Sequence, residues 1–571
     1  MNSKTTTQRR SGNGKFAMWL FRTALAICLC AGLPLVSIAQ SIVIGPDVPH
    51  DIEVKPPSDA YEVELAQFAW QQFIALGWQA TYDPANKNFE RGVADPSWKG
   101  GGVPRYAVWE TFAHRSELRP WATSLTGRNF SSVPDYLTQV RANGSLKQGK
   151  DSAGGPADLT LLDNLDEDSE IGSCSIYLGK LTDPSTQPLV MFQAKVNRDE
   201  YEYIQNVFPD QANLTGALAK AATNNLTNAK AIKAYYKGPD GKPDFNTCGP
   251  PSNVQPNAAI TLPCGATGGP EGAIEVKTAF YKIPDGQEAQ FANYFVRNAI
   301  YYTEGLNPDG TGNGIYTYNN ANFALLAIHI IHKTKNYPGF IFTSFENRAL
   351  GSLGALAPEF KLLSPLPPTY SNFNPHGAKV VPKNAGDGTQ IGNEILIVRQ
   401  TGTNPISNGQ LYPVPAQFGP VNAAAKQQLA AMDSIWQNYQ LIGVQAQITR
   451  SYAPSPTATA GPNHFMANFV IESDTFLGNF FGPGFSPKPI PFPTGKGNGD
   501  NILSQGKTYN MGGCKGCHGV AQTSFGTDFS FLLDVNHGKP VAQPDTIYYI
   551  PPPLKKNSGR FYLSQIKKPQ P

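Results

Sequence analysis

Near the end of the chain, Cys514-Lys515-Gly516-Cys517-His518 sets two thiols and an imidazole within five residues. This C-x-x-C-H spacing is that of c-type haem attachment. On one helical turn the two thiols reach the two vinyl groups of a single haem, and the adjacent histidine presents its imidazole to the iron. A fold carrying such a turn must wrap a large, flat, apolar group. Because the motif lies so late, most of that wrapping has to come from upstream residues. Two other uses of paired cysteines fit less well. A thioredoxin-type pair sits early in a βαβ unit, and a zinc site needs further Cys or His at ligand spacing, where only His537 stands nearby. Cys514, Cys517 and His518 are therefore expected to hold one covalently bound haem c, with His518 as the metal ligand.

The group opposite His518 decides what such a haem can do. Small electron-carrying cytochromes c supply a methionine there. No methionine follows His518, and Met511 is too close along the chain to reach the other side. The candidates are His537 in the same segment, the upstream residues His114, His329, His332, His376, His464 and Met466, or no protein group at all. In Ile328-His329-Ile330-Ile331-His332 the strand period of two sends the histidines to opposite faces, so at most one can reach a common iron. An open or water-occupied position is the leading expectation and would permit redox chemistry on a small molecule.

The first fifteen residues carry Lys4, Arg9, Arg10 and Lys15 and no acid, and an apolar stretch from Phe16 to Ile38 follows, broken only by Arg22. This reads as a secretory signal peptide over 1–39, with Ser37-Ile38-Ala39 as its small-x-small cleavage site. An uncleaved anchor helix is the alternative. Cys28 and Cys30 lack the small residues of a lipoprotein site, and Arg9-Arg10 lacks the rest of a twin-arginine signal. No later segment is apolar for long enough to span a membrane. A periplasmic or otherwise exported protein is expected.

Cysteine usage agrees with an oxidising compartment. Cys248 and Cys264 flank a Pro-rich loop and form the natural disulfide, contributing about 3 kcal/mol for a loop of roughly 15 residues. Cys174 is left over, and its pairing with either neighbour stays open. The formal net charge is +3 with both signs interspersed, which argues against a nucleic-acid partner, since clustered Lys and Arg mark such surfaces.

With 55 Gly and 49 Pro, much of the chain must be ordered loop. Tyr61 to Leu76 sets Leu65, Phe68, Ala69, Phe73 and Leu76 at helical spacing, and further helices are read over 197–207, 214–236 and 423–441. Strand-type runs occupy 273–281, 323–332, 339–345 and 394–399. The middle pair, joined by 333–338, reads as a hairpin with one buried face. The mixture is α+β, without the strict alternation of a doubly wound nucleotide fold. A Gly/Pro-rich stretch at 483–500 divides a large α+β region, 40–482, from a C-terminal helical haem segment, 483–571. Glu110, His114 and Arg115 could make a polar site or bind haem propionates, and a salt-bridged surface helix explains them as well.

Four stretches carry a resemblance: FAWQQFIALGW at 68–78, VWETFAHR at 108–115, HIIHKTKNYPGFIFTSFENR at 329–348 and FMANFVIESD at 465–474, the last shortly before CKGCH. Together they resemble a family of large bacterial mono-haem cytochrome c proteins with no settled activity. The resemblance implies haem and export and supplies no substrate. The chain departs from that family's usual residues at Gly77 and Asn347. A fainter likeness is to small β-rich cytochromes that carry this motif near the C-terminus and oxidise hydroxylamine. Asp528-Phe529-Ser530-Phe531 matches their acidic and aromatic stretch. Their lysine cross-link to the haem edge would fall on Lys277 or Lys333.

Three functions follow. One is an electron-transfer cytochrome working with a redox partner protein. The second is a haem-dependent oxidoreductase acting on a small-molecule oxidant or substrate such as peroxide, oxygen or a nitrogen compound. The third is a haem-bearing binding or sensor protein. Size favours the second, because a carrier needs only about a hundred residues to shield its haem.

Overall fold

The computed structural model describes residues 42–118 except 56–57, 84–85, 87 and 89; 130–131; 190–207; 260–306; 312–351; and 416–446. It also describes shorter pieces at 164–165, 175–178, 360–364, 378–384, 390–399, 410–411, 501–504 and 507–510, and positions 248, 414, 514, 518, 528 and 530–532. The expected helix at 214–236 and the expected sites His376, His464, Met466, Cys517, His537 and Cys174 lie outside the described residues.

Eight strands make the central sheet. They are β1 (Ala113–His114), β2 (Asn164–Leu165), β4 (Val190–Val196), β5 (Ile274–Lys282), β6 (Val296–Leu306), β7 (Gly312–His332), β8 (Ile341–Asn347) and β13 (Tyr439–Ala446). A smaller sheet joins β3 (Ser175–Leu178), β9 (Phe360–Ser364), β10 (Ala378–Asn384), β11 (Gln390–Arg399) and β12 (Gln410–Leu411), and β14 (Asn501–Ser504) pairs with β15 (Lys507–Asn510). Pairing is antiparallel except at β2–β6 and β11–β12, so the α+β class holds.

The order β1-β4-β5-β7 runs across the centre, and β7 is long enough, at 21 residues, to hold two strands in tandem on one edge. Its first part pairs with β6, and residues 327–332 pair with β8, which passes on to β13. The β7–β8 hairpin is as expected, with His332 opposite Ile341. Its burial differs from expectation: every residue of β8 is buried, because both faces are covered.

One cover is α1 (Asp59–Leu76). Ser58 caps its N-terminus by accepting from the Tyr61 amide at 3.2 Å, and Asp59 and Glu62 complement the dipole of the first turn. The apolar spacing seen in the sequence delivers Trp70 and Phe73 onto Phe345, at ring distances of 5.0 and 4.2 Å. Each such ring contributes roughly 1.5–3 kcal/mol on burial. Gly77 ends the helix against Trp436, whose indole would lie 2.8 Å from a Cβ, so no larger residue fits here without displacing that ring.

Beside α1 lies α2 (Phe418–Ala431). Asn422 ties the layer together, accepting from Trp70 Nε1 at 2.9 Å and donating to the Leu441 carbonyl at 2.9 Å. The expected helix over 423–441 stops ten residues early. Asp433 takes a left-handed φ of 56°, which aspartate tolerates, and by Tyr439 the chain is strand, opposite Asn347.

The Glu110 region also differs from the surface helix that was one reading of it. Val108–Thr111 is a short 3-10 turn, and Glu110 and His114 are buried. Arg297 reaches Glu110 from β6, with Nε at 2.6 Å, so a buried ion pair replaces the surface one.

A candidate haem face on the central sheet

Residues directly opposite one another in an antiparallel pair, and residues two apart on one strand, share a face. Lys277 on β5 lies opposite His329 on β7, which lies opposite Ser344 on β8; Ile331 lies opposite Phe342. These five side chains therefore share one face. His332, with Phe345, is on the other. There it stacks on Phe68 at 5.9 Å, and its Nε2 lies 2.6 Å from the Glu271 carbonyl. The expected division of the two histidines is what the strand produces.

The C-terminal segment meets the Lys277–His329 face. Cys514 and His518 have helical backbone and are one turn apart, so they share a side of that turn. Cys514 is buried within the main core, as is Leu532. The His518 ring lies 4.9 Å from Phe342 and 5.0 Å from Phe531. Asp528 forms a buried ion pair with Lys333, which follows β7, and its Oδ2 also accepts from the Leu262 amide at 2.7 Å. Leu262 is two residues from Cys264, whose disulfide with Cys248 is present with the Cα atoms 5.3 Å apart.

This side buries several titratable groups next to one another. Burial first, and then the neighbouring carboxylates Glu275 and Asp528, push the Glu200 carboxyl well above its usual range. Burial lowers Lys333 despite Asp528 beside it. Burial, Lys277 and His518, in that order, hold His329 well below the ordinary imidazole value, which keeps its ring neutral. On the α1 side the same burial brings His332 down to about 4.

The donor set suits a haem: a thiol and an imidazole on one side of a turn, with aromatic rings flanking the imidazole. Among the described residues no group of three or more His, Cys, Asp or Glu is arranged to hold a metal ion, and no helix is long and apolar enough to cross a membrane. His114, buried in β1, is separated from β7 and His329 by two strands, β4 and β5, and faces the other side of the sheet. Of the lysines suggested by the fainter likeness, Lys333 is held by Asp528, and Lys277 stands beside His329, its ammonium 4.9 Å over the Phe192 ring.

Sequence reasoning did not find Phe342, Glu200 or the Lys333–Asp528 pairing. One signal was available: Glu275 and Lys277 put two charges at alternate positions of a largely apolar strand, marking one face for something other than plain core. Comparison of the chain with protein-family models, with curated proteins and with solved structures finds no match.

Proposed function

We propose that the chain is an exported mono-haem c-type cytochrome working in redox chemistry, with haem bonded to Cys514 and Cys517 and its iron held by His518. The observation that carries this reading is the docking of the Cys514–His518 turn against Phe342, on the face of the sheet opposite α1. A haem bound there supplies a one-electron couple and an iron coordination position.

The chain's own residues do the rest. Phe342 and Phe531 flank the His518 ring and limit its rotation. Asp528 pins the segment to Lys333 and to the loop at Leu262. The sheet, itself sealed by α1, keeps water from one side of the site. The Cys248–Cys264 disulfide and the basic-then-apolar N-terminus support export. The partner is a redox protein or a small-molecule oxidant or substrate, and the resemblance to large mono-haem cytochromes belongs to the same reading.

The test is expression with a signal peptide in a host that matures c-type cytochromes, followed by haem staining after denaturation. Wild type should keep its haem through denaturation, and C514A/C517A should lose it. Covalent haem retained by the double variant, or absent from wild type, would overturn the proposal.

A further inference from the structure

We propose that His329 is the second protein ligand of the haem iron, so that the iron is held between two imidazoles. This rests on the proposed function and deepens it. A second ligand has to come from a fixed element on the face where the attachment turn docks. Of the described histidines besides His518, His332 is committed to the other face by Phe68 and Glu271, His114 is on the other face with two strands between it and β7, and His50 lies outside the sheet. His329 shares its face with Phe342, the ring that touches His518.

The burial pattern singles out the same place. From Phe323 to His332 every residue of β7 is fully buried except His329, and from Ile274 to Tyr281 every residue of β5 is buried except Lys277. These two are opposite one another, so within these two stretches the cover over the sheet thins at one spot, beside the attachment turn. This polar pair, less closely covered than its neighbours in these stretches, is where a flat group would sit against the sheet. The strand's hydrogen bonds to both neighbours hold the His329 backbone rigid, which suits a ligand that must keep one geometry through oxidation and reduction.

The experiment is optical and electron-paramagnetic spectroscopy of the purified, haem-loaded full chain, oxidised and reduced, with and without carbon monoxide. Wild type should be low-spin in both states and unaffected by carbon monoxide. H329A should become high-spin and bind carbon monoxide, H329G should return to low-spin when imidazole is added, and H329M should stay low-spin with a raised reduction potential. H332Q should leave the spectrum unchanged. A wild type that binds carbon monoxide, or H329A and H329G proteins that stay low-spin, would overturn the assignment while leaving the attached haem intact. Absence of covalent haem, read on the denatured protein, would instead remove both proposals together.

Discussion

The two faces of the central sheet are built by different means. On the α1 side, Trp70, Phe73, Phe345 and Trp436 pack ring on ring, a neutral hydrogen bond joins Trp70 to Asn422, and the Arg297–Glu110 pair and its neighbour Lys195 bring charge at one end. On the other side the sheet buries Glu200, Glu275, Lys333 and Asp528. Apolar burial stabilises in proportion to area, whereas a buried ion pair gains little over apolar residues of the same shape. The aromatic layer of the first face is explained by stability alone. The second is not, and it is the one the C-terminal segment docks on.

The largest expected effects test that contrast directly. Replacing either member of the Lys333–Asp528 pair, as K333A or D528N, leaves a buried group without its partner and should cost about 3–5 kcal/mol in denaturant unfolding. Replacing both together, as K333M/D528L, should cost less than either single change. On the α1 face the order reverses: F73A should cost about 3–5 kcal/mol, and F73A/F345A should cost more again. If the two faces respond alike, the distinction between them is wrong.

The next effect sharpens the comparison through pH. His332 is neutral in the fold, with its pKa down to about 4 against an ordinary value near 6.5. Its contribution is therefore complete above the ordinary value and is lost as pH falls towards 4, by roughly 3 kcal/mol at about 1.4 kcal/mol per unit. H332Q should flatten that part of the stability–pH curve, as measured by denaturant midpoints at a series of pH values. A variant with the wild-type slope would place the acid sensitivity elsewhere. The smallest effect belongs to Gly77: G77A must displace the Trp436 indole and should cost about 1–3 kcal/mol without changing haem attachment.

How much of this was legible depends on how local each signal is. Helix α1 was readable because its spacing and its cap lie within twenty residues, and the division of His329 from His332 follows from the strand period alone. The end of α2 was misread because Ile435, Trp436 and Tyr439 continue a spacing that suits helix as well as strand. What decides is Asp433 turning left-handed and β13 pairing with β8. The pairings that make the site were beyond local reading. Lys333 and Asp528 are 195 residues apart, and Glu110 finds Arg297 at a separation of 187. A charge on an apolar element shows that a partner is needed and does not say which one.

The burial of Cys514 has a consequence for the order of events in biogenesis. With 7% of its surface open in the docked state, its sulfur is out of reach of a haem-loading apparatus. If haem is attached as proposed, thioether formation must then precede docking. Asp528 fixes the docked state by engaging two receiving points, Lys333 and the loop beside Cys264. Both lie earlier in the chain and emerge first. The latch is thus assembled before its bolt, and a tail that reaches it without haem would be a competitor of maturation, lowering holoprotein yield in proportion to how fast the apo segment docks.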